Sequence, residues 1–145
     1  MENKCYPKYV ASQPIIINSG KDAGFIYAFI KKEKKELGSI NYIFCSDDML
    51  LKINQDFLQH NYYTDIITFG LNEPGEPIEA EIYVSIDRVK DNANQQSVSY
   101  QNEMQRVLFH GALHLCGYKD KKKSEIIVMR QKEDQYLHLI TKAKK

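Results

Sequence analysis

Three cysteines, Cys5, Cys45 and Cys116, are all that the 145-residue chain contains, and they are odd in number, scattered and without CxxC spacing. That argues against a disulfide framework and fits a reducing compartment. A surplus of one charge is also missing: 20 Lys and Arg against 19 Asp and Glu leave a formal net charge of +1. No global positive field therefore marks a nucleic-acid binder, and any RNA or DNA contact has to come from a local patch. No apolar run approaches the roughly 20 residues that cross a bilayer, and the N-terminus lacks an apolar signal region. A soluble, cytoplasmic protein without membrane partners is expected. Linkers, repeats and low-complexity stretches are absent apart from a short lysine-rich tail after Ile140, so residues 1–145 are expected to form a single domain.

Hydrophobic residues make up 43% and charged residues 27%, the balance of a globular chain with a buried core. Four runs have strand character: Pro14–Asn18, Ile40–Cys45, Ile66–Phe69 and Ile82–Ile86. Helical spacing of apolar residues predicts a helix from Ala23 to Leu37 stopped by Gly38, and a second one opened by Ser46-Asp47-Asp48 and carrying Met49, Leu50, Ile53, Phe57 and Leu58. Three more are predicted: from Ile86 or Asp87 to about Gln96, from Ser99 or Tyr100 through Leu115, and from about Ser124 to Thr141. The fold class is α/β (α+β), a small mixed sheet of about four strands covered by helices.

The informative segment runs from Phe109 to Asp120. His110 and His114 are four residues apart inside a helical pattern, so their side chains sit one turn apart on one face. Two imidazoles so placed can converge on one ion at roughly 2.0–2.1 Å. Gly117 is suited to the left-handed conformation that ends the helix, and the reversal can return Asp120 as a third ligand. Three protein ligands and one open position describe a catalytic zinc site. The bland alternative is a chance pair of helix-face histidines, each satisfied by a neighbour. Gly111 stands where a zincin places its general-base glutamate, which disfavours a peptidase and leaves room for a close approach instead.

The nine positions from His110 to Tyr118, with a ligand ten residues after the first histidine, resemble the YbeY family of single-domain metalloproteins, described as endoribonucleases and maturation factors for ribosomal RNA. The resemblance extends to Asn54, Phe57, Thr64, Asp65, Ile66, Thr68 and Phe69, and to Ile82, Val84 and Ser85. It implies a metal-dependent endoribonuclease that binds zinc, with ribosomal RNA and the small ribosomal subunit as partners. There are three departures from the family pattern. Asp120 stands where the family has a third histidine, Leu58 where it has an arginine, and Ala80-Glu81 where it has glycine-aspartate. An aspartate makes a harder, less electrophilic site in which manganese, iron or nickel can compete with zinc. Leu58 cannot stabilise a pentavalent phosphate as an arginine could, and His60 or Arg106 are the residues to consider in its place.

Other residues carry two readings each. Asp65 orients a ligand histidine or caps a turn; Ser85 bonds substrate or is structural. Lys119, Lys121, Lys122 and Lys123 form a phosphate-attracting rim or a solvated loop. Cys116 reads as a small hydrophobe rather than a ligand. No coiled-coil pattern demands association, so a monomer is expected. Besides the endoribonuclease, two further functions stay open: a ribosome-assembly module in which the metal only braces the fold, and, least favoured, a metallopeptidase.

Overall fold

The computed structural model describes residues 29–143, with side chains through 139. After helical residues 29–32 the order is β1 (Leu37–Cys45), α1 (Asp47–Leu58), β2 (Ile66–Gly70), β3 (Ile78–Ser85), α2 (Ile86–Gln96), α3 (Tyr100–Leu115) and α4 (Lys123–Ala143). Among the described residues the sheet has three strands in the order β1-β3-β2, with β1 parallel and β2 antiparallel to β3. It is mixed, as expected, and one strand short of the expected four. The run Pro14–Asn18, Cys5 and the start of the helix from Ala23 lie outside the described residues.

A central strand covered on both faces has to be apolar on both, and β3 is buried at nearly every position. Its alternate side chains feed separate cores. Ala80, Ile82 and Val84 join Val107, Leu108, Phe109, Ala112 and Leu113 of α3 and Met129, Tyr136 and Leu137 of α4. Tyr83 joins Leu50 and Ile53 of α1 with Ile43, Cys45 and Ile67. Helices therefore cover both faces of the sheet.

Serines open three of the helices. Ser46, Ser85 and Ser99 each accept a hydrogen bond from the backbone N–H three residues on, at 3.0–3.1 Å, a cap worth about 1 kcal/mol. The boundaries differ from expectation at the first helix and at the starts of β1 and β3, with β1 beginning at Leu37 and not Ile40. The first helix stops earlier than predicted because Lys34 takes the left-handed conformation (φ 64°), and the Lys35 N–H bonds back to the Ile30 carbonyl. Gly38 lies inside β1, at a shift of register against β3 between Leu37 and Ser39, and stops no helix. Strand β3 begins at Ile78, four residues before the predicted start, because pairing with β1 extends it beyond its β-branched stretch.

The fold brings α3 unusually close to the sheet. A Cβ at Gly111 would sit 2.8 Å from Ile66 Cδ1 and 3.2 Å from Thr68 Oγ1, so glycine is what lets the helix lie against β2. The same contact leaves no space for a zincin glutamate at this position.

Candidate metal centre

Helix α3 carries His110 and His114 on one face, and its end determines what meets them. The Gly117 N–H donates to the His114 carbonyl at 3.0 Å and the Tyr118 N–H to the Leu113 carbonyl at 3.1 Å. This paired closure requires a positive φ at Gly117, which is +104°. The reversal brings Asp120 back over the histidines. Asp120 Oδ2 lies 3.1 Å from His110 Nε2 and 3.3 Å from His114 Nε2, and the two Nε2 atoms are 3.1 Å apart. These residues form a group that could hold a metal ion.

Ligand atoms 2.0–2.1 Å from an ion at tetrahedral corners lie about 3.3–3.4 Å from one another. The observed triangle is within a few tenths of an ångström of that spacing. The chemistry of the three atoms agrees. His114 Nδ1 is 2.9 Å from the Tyr118 carbonyl, which can only accept, so this nitrogen carries the proton. His110 Nδ1 is 2.6 Å from Glu133 Oε2 and donates to that carboxylate. Both Nε2 atoms of the neutral rings are then bare lone pairs facing each other and a carboxylate oxygen. A single cation placed between these three acceptors would satisfy all of them.

Glu133 is the functional residue that the sequence analysis missed. It is 4% exposed, on α4, and also accepts from Arg106 Nη1 at 2.9 Å. Burial raises its pKa, but the bonds and charges of His110, Arg106 and Arg130 outweigh this and hold it below the usual carboxylate value. His110 in the metal-free protein responds in the opposite sense. Burial disfavours its charged form, yet Glu133, then Asp120 and Asp65, raise its pKa above the ordinary value. The available signal was a carboxylate in the apolar stripe of the last helix, between Met129 and Tyr136.

Tyr118, whose carbonyl holds His114, is anchored in turn. Its hydroxyl donates to Glu33 at 2.7 Å, and Glu33 also accepts from Tyr136 and pairs with Lys132 at 3.1 Å. Burial pushes Glu33 up, the bonds from Tyr136, Tyr118 and Lys132 push it down, and the net effect is a lowered pKa.

The other sequence candidates fall on both sides of the site. Asp65 neither binds a ligand histidine nor closes the triangle; Glu133 and the Tyr118 carbonyl hold the rings instead. It lies beside His110, accepts from Asn92 at 3.2 Å, and lines the clefts that open on the metal group. Its pKa is raised, chiefly by burial, with His110 opposing. Ser85 is not brought to the site. It is fully buried, caps α2, and donates to Asp47 at 3.0 Å. Cys116 is half-buried against the core, with its thiol pushed up to about 11 by burial and Glu33. It stands outside the metal group.

A cleft of about 720 Å³ opens on the triangle. Leu58, 41% exposed, forms part of its wall, and His60 and Lys121 line it too. His60 stacks on Tyr62 with ring centroids 5.1 Å apart. Arg106 does not line this cleft and is committed to Glu133 and to Asp134 at 2.7 Å. The lysine run divides: Lys121 faces the cleft, while Lys119, Lys122 and Lys123 are solvated. Among the described residues no helix is long and apolar enough to cross a membrane.

These features agree with what the chain is similar to. The family profile described as Endoribonuclease YbeY matches residues 22–141. The endoribonuclease YbeY of Cytophaga hutchinsonii is 57% identical over 109 residues, covering 75% of this chain and 76% of that protein. That of Christiangramia forsetii is 40% identical over 132 residues, covering 90% and 92%. In the solution structure of a Thermotoga maritima protein, 29% identical, the same fold covers 82% of this chain and 78% of that one, with a TM-score of 0.61. With its histidine helix, glycine turn and flanking strands inside the matched region, the chain belongs to the YbeY endoribonuclease family.

Proposed function

We propose that this chain is a metal-dependent endoribonuclease of ribosomal RNA maturation, a cytoplasmic monomer whose His110, His114 and Asp120 hold one zinc ion. The observation that carries this reading is the triangle of two bare Nε2 atoms and a carboxylate oxygen, with edges of 3.1–3.3 Å, at the floor of an open cleft. A bound divalent ion would supply Lewis acidity at a phosphoryl oxygen and a lowered pKa for water or a ribose hydroxyl. The chain's own groups do the rest. Glu133 and the Tyr118 carbonyl keep the protons on the outer ring nitrogens, and Asp120 adds a harder, anionic ligand that also suits manganese, iron or nickel. Asp65 is the carboxylate placed to bond substrate beside His110. Lys121 and His60 supply the cationic and donor groups of the cleft, next to the aliphatic wall at Leu58. Ribosomal RNA of the small subunit is the proposed substrate.

The test pairs elemental analysis with cleavage of a labelled single-stranded RNA. Wild type is expected to carry one transition-metal ion per chain and to cut, and His114→Ala to do neither. Metal-free wild type that still cuts after chelation sinks the reading.

Leu58 in the cleft wall favours one alternative, a ribosome-assembly module whose metal braces the turn after α3. It predicts stoichiometric metal, intact RNA, and an Asp120→Ala variant that loses thermal stability with no activity to lose.

A further inference from the structure

A second cleft, about 450 Å³, meets the first at the metal group: both are lined by Asp65, His110 and Asp120, and otherwise they share no residue. Its size falls in the range of sites that hold small ligands, roughly 300–1,000 Å³. Its walls combine one exposed apolar side chain with groups that recognise polar edges, and the carboxylates of Asp65, Glu103, Asp120 and Glu133 line it too. Ile126 is 48% exposed at the start of α4, above Met129 and Val107, which are themselves buried. Facing them from α2 are the carboxamides of Asn92 and Gln96; Asn92 donates to Asp65, and the Gln96 side chain has no partner among the described residues. Glu103 is 3% exposed and one of its oxygens lacks a hydrogen-bond partner, so the wall retains unmet polar capacity. Arg106 and Arg130 are the cations that line this cleft; Arg106 is held by Glu133 and Asp134, and Arg130 is the freer of the two. The Arg130 side chain is 53% exposed and makes one 3.4 Å contact with Glu133, leaving most of its donors to solvent.

An exposed apolar side chain for a base face, carboxamides for a base edge and a free guanidinium for a phosphate are the three parts of a nucleotide site. We propose that this second cleft is a nucleotide subsite next to the scissile phosphate, with Ile126 and Gln96 contacting the base and Arg130 the phosphate. A single strand would then cross the metal group and be held on both flanks, by Lys121 and His60 on one side and Arg130 on the other. The proposal rests on the RNA-cleaving reading above, and binding of an uncleavable strand separates the two.

The experiment uses the metal-loaded full chain and a 2′-O-methyl single-stranded hexamer, together with versions carrying one abasic residue at each position. Dissociation constants are read by fluorescence anisotropy over a range of salt. One abasic position is expected to weaken binding to wild type about fivefold, the loss of roughly 40 Å² of apolar contact on Ile126 at about 25 cal/mol per Å². That loss should vanish in Gln96→Ala and Ile126→Ala, because the contact is already gone. Arg130→Ala is expected to lower the slope of log affinity against log salt by about 0.7, one phosphate contact on a single strand. Lys52→Ala removes the same charge from outside both clefts and should leave the slope alone. An abasic penalty that persists in both variants, or an unchanged slope in Arg130→Ala, overturns the subsite whether or not RNA is cut. If natural RNA stays intact while these binding effects appear, the subsite stands and the cleavage reading fails.

Discussion

Replacing Glu133 by glutamine keeps the shape of the side chain and changes which atoms can accept. In the native protein Oε2 accepts from His110 Nδ1 at 2.6 Å and Oε1 from Arg106 at 2.9 Å, in a residue 4% exposed. A carboxamide has one oxygen for these two donors. If the oxygen stays with Arg106, the amide N–H faces His110 Nδ1 and draws its lone pair, which moves the ring proton to Nε2. That is the nitrogen a metal must use, so binding has to drive the tautomer back and break the new bond. If the oxygen turns to His110, a guanidinium whose side chain is 18% exposed loses one acceptor. Loss of such an orienting partner costs about 10- to 100-fold in metal affinity, or about 1.4–2.8 kcal/mol. The affinity is measured by competition against a chromophoric chelator at pH 7.5. Asp134→Asn serves as the control, since it neutralises Arg106's other partner, at 2.7 Å, and touches no histidine. It should leave the affinity within twofold of wild type. Wild-type affinity in Glu133→Gln, alongside a large loss in His114→Ala, would refute the argument that Glu133 holds the ring.

Four further outcomes are expected. Stripping the metal lowers Tm by about 10 °C at 100 Kd of free ion, since about 2.7 kcal/mol of linkage is lost; scanning calorimetry with and without chelator reads it, and an unchanged Tm argues against a bound ion. Gly111→Val adds branches that cannot all clear Ile66 Cδ1, Ile82 Cδ1 and Thr68 Oγ1, and costs about 1–3 kcal/mol in urea unfolding, with a neutral result meaning that α3 does not approach the sheet as described. Glu33 has a lowered folded pKa, so its stabilising contribution is present above its unfolded value and fades as pH falls through the folded one. Wild type should therefore lose more Tm than Glu33→Gln between pH 6 and pH 3, and parallel curves would dismiss the tie to Tyr118 and Tyr136. Leu58→Arg puts a guanidinium in the cleft wall and is expected to tighten single-stranded RNA binding and steepen its salt slope by about 0.7, while an unaltered slope means position 58 does not meet phosphate.

The histidine pair, the glycine stop and the returning carboxylate were legible in sequence because each is a local consequence of helix geometry. Four-residue spacing places His110 and His114 on one face in any helix. Gly117 ends a helix wherever a positive φ is needed, and a reversal there can bring a residue three further on back toward the helix end. The element types followed for the same reason, from spacing within single runs and from serines whose caps act over three residues. Where neighbours decide, sequence was silent or misleading. Strand β3 starts early because β1 pairs with it, and the helix ending at residue 32 stops at Lys34, not at the glycine four residues on. Ser85 looked available and is consumed by Asp47 and the start of α2. Glu133 and Glu33 are 23 and 85 residues from the side chains they orient, His110 and Tyr118. Glu133's role exists only once α4 packs across α3, and Glu33's only once the turn before β1 meets the turn after α3, because the energy of a buried charge depends on which partners the fold brings within about 3 Å and not on its neighbours in the chain.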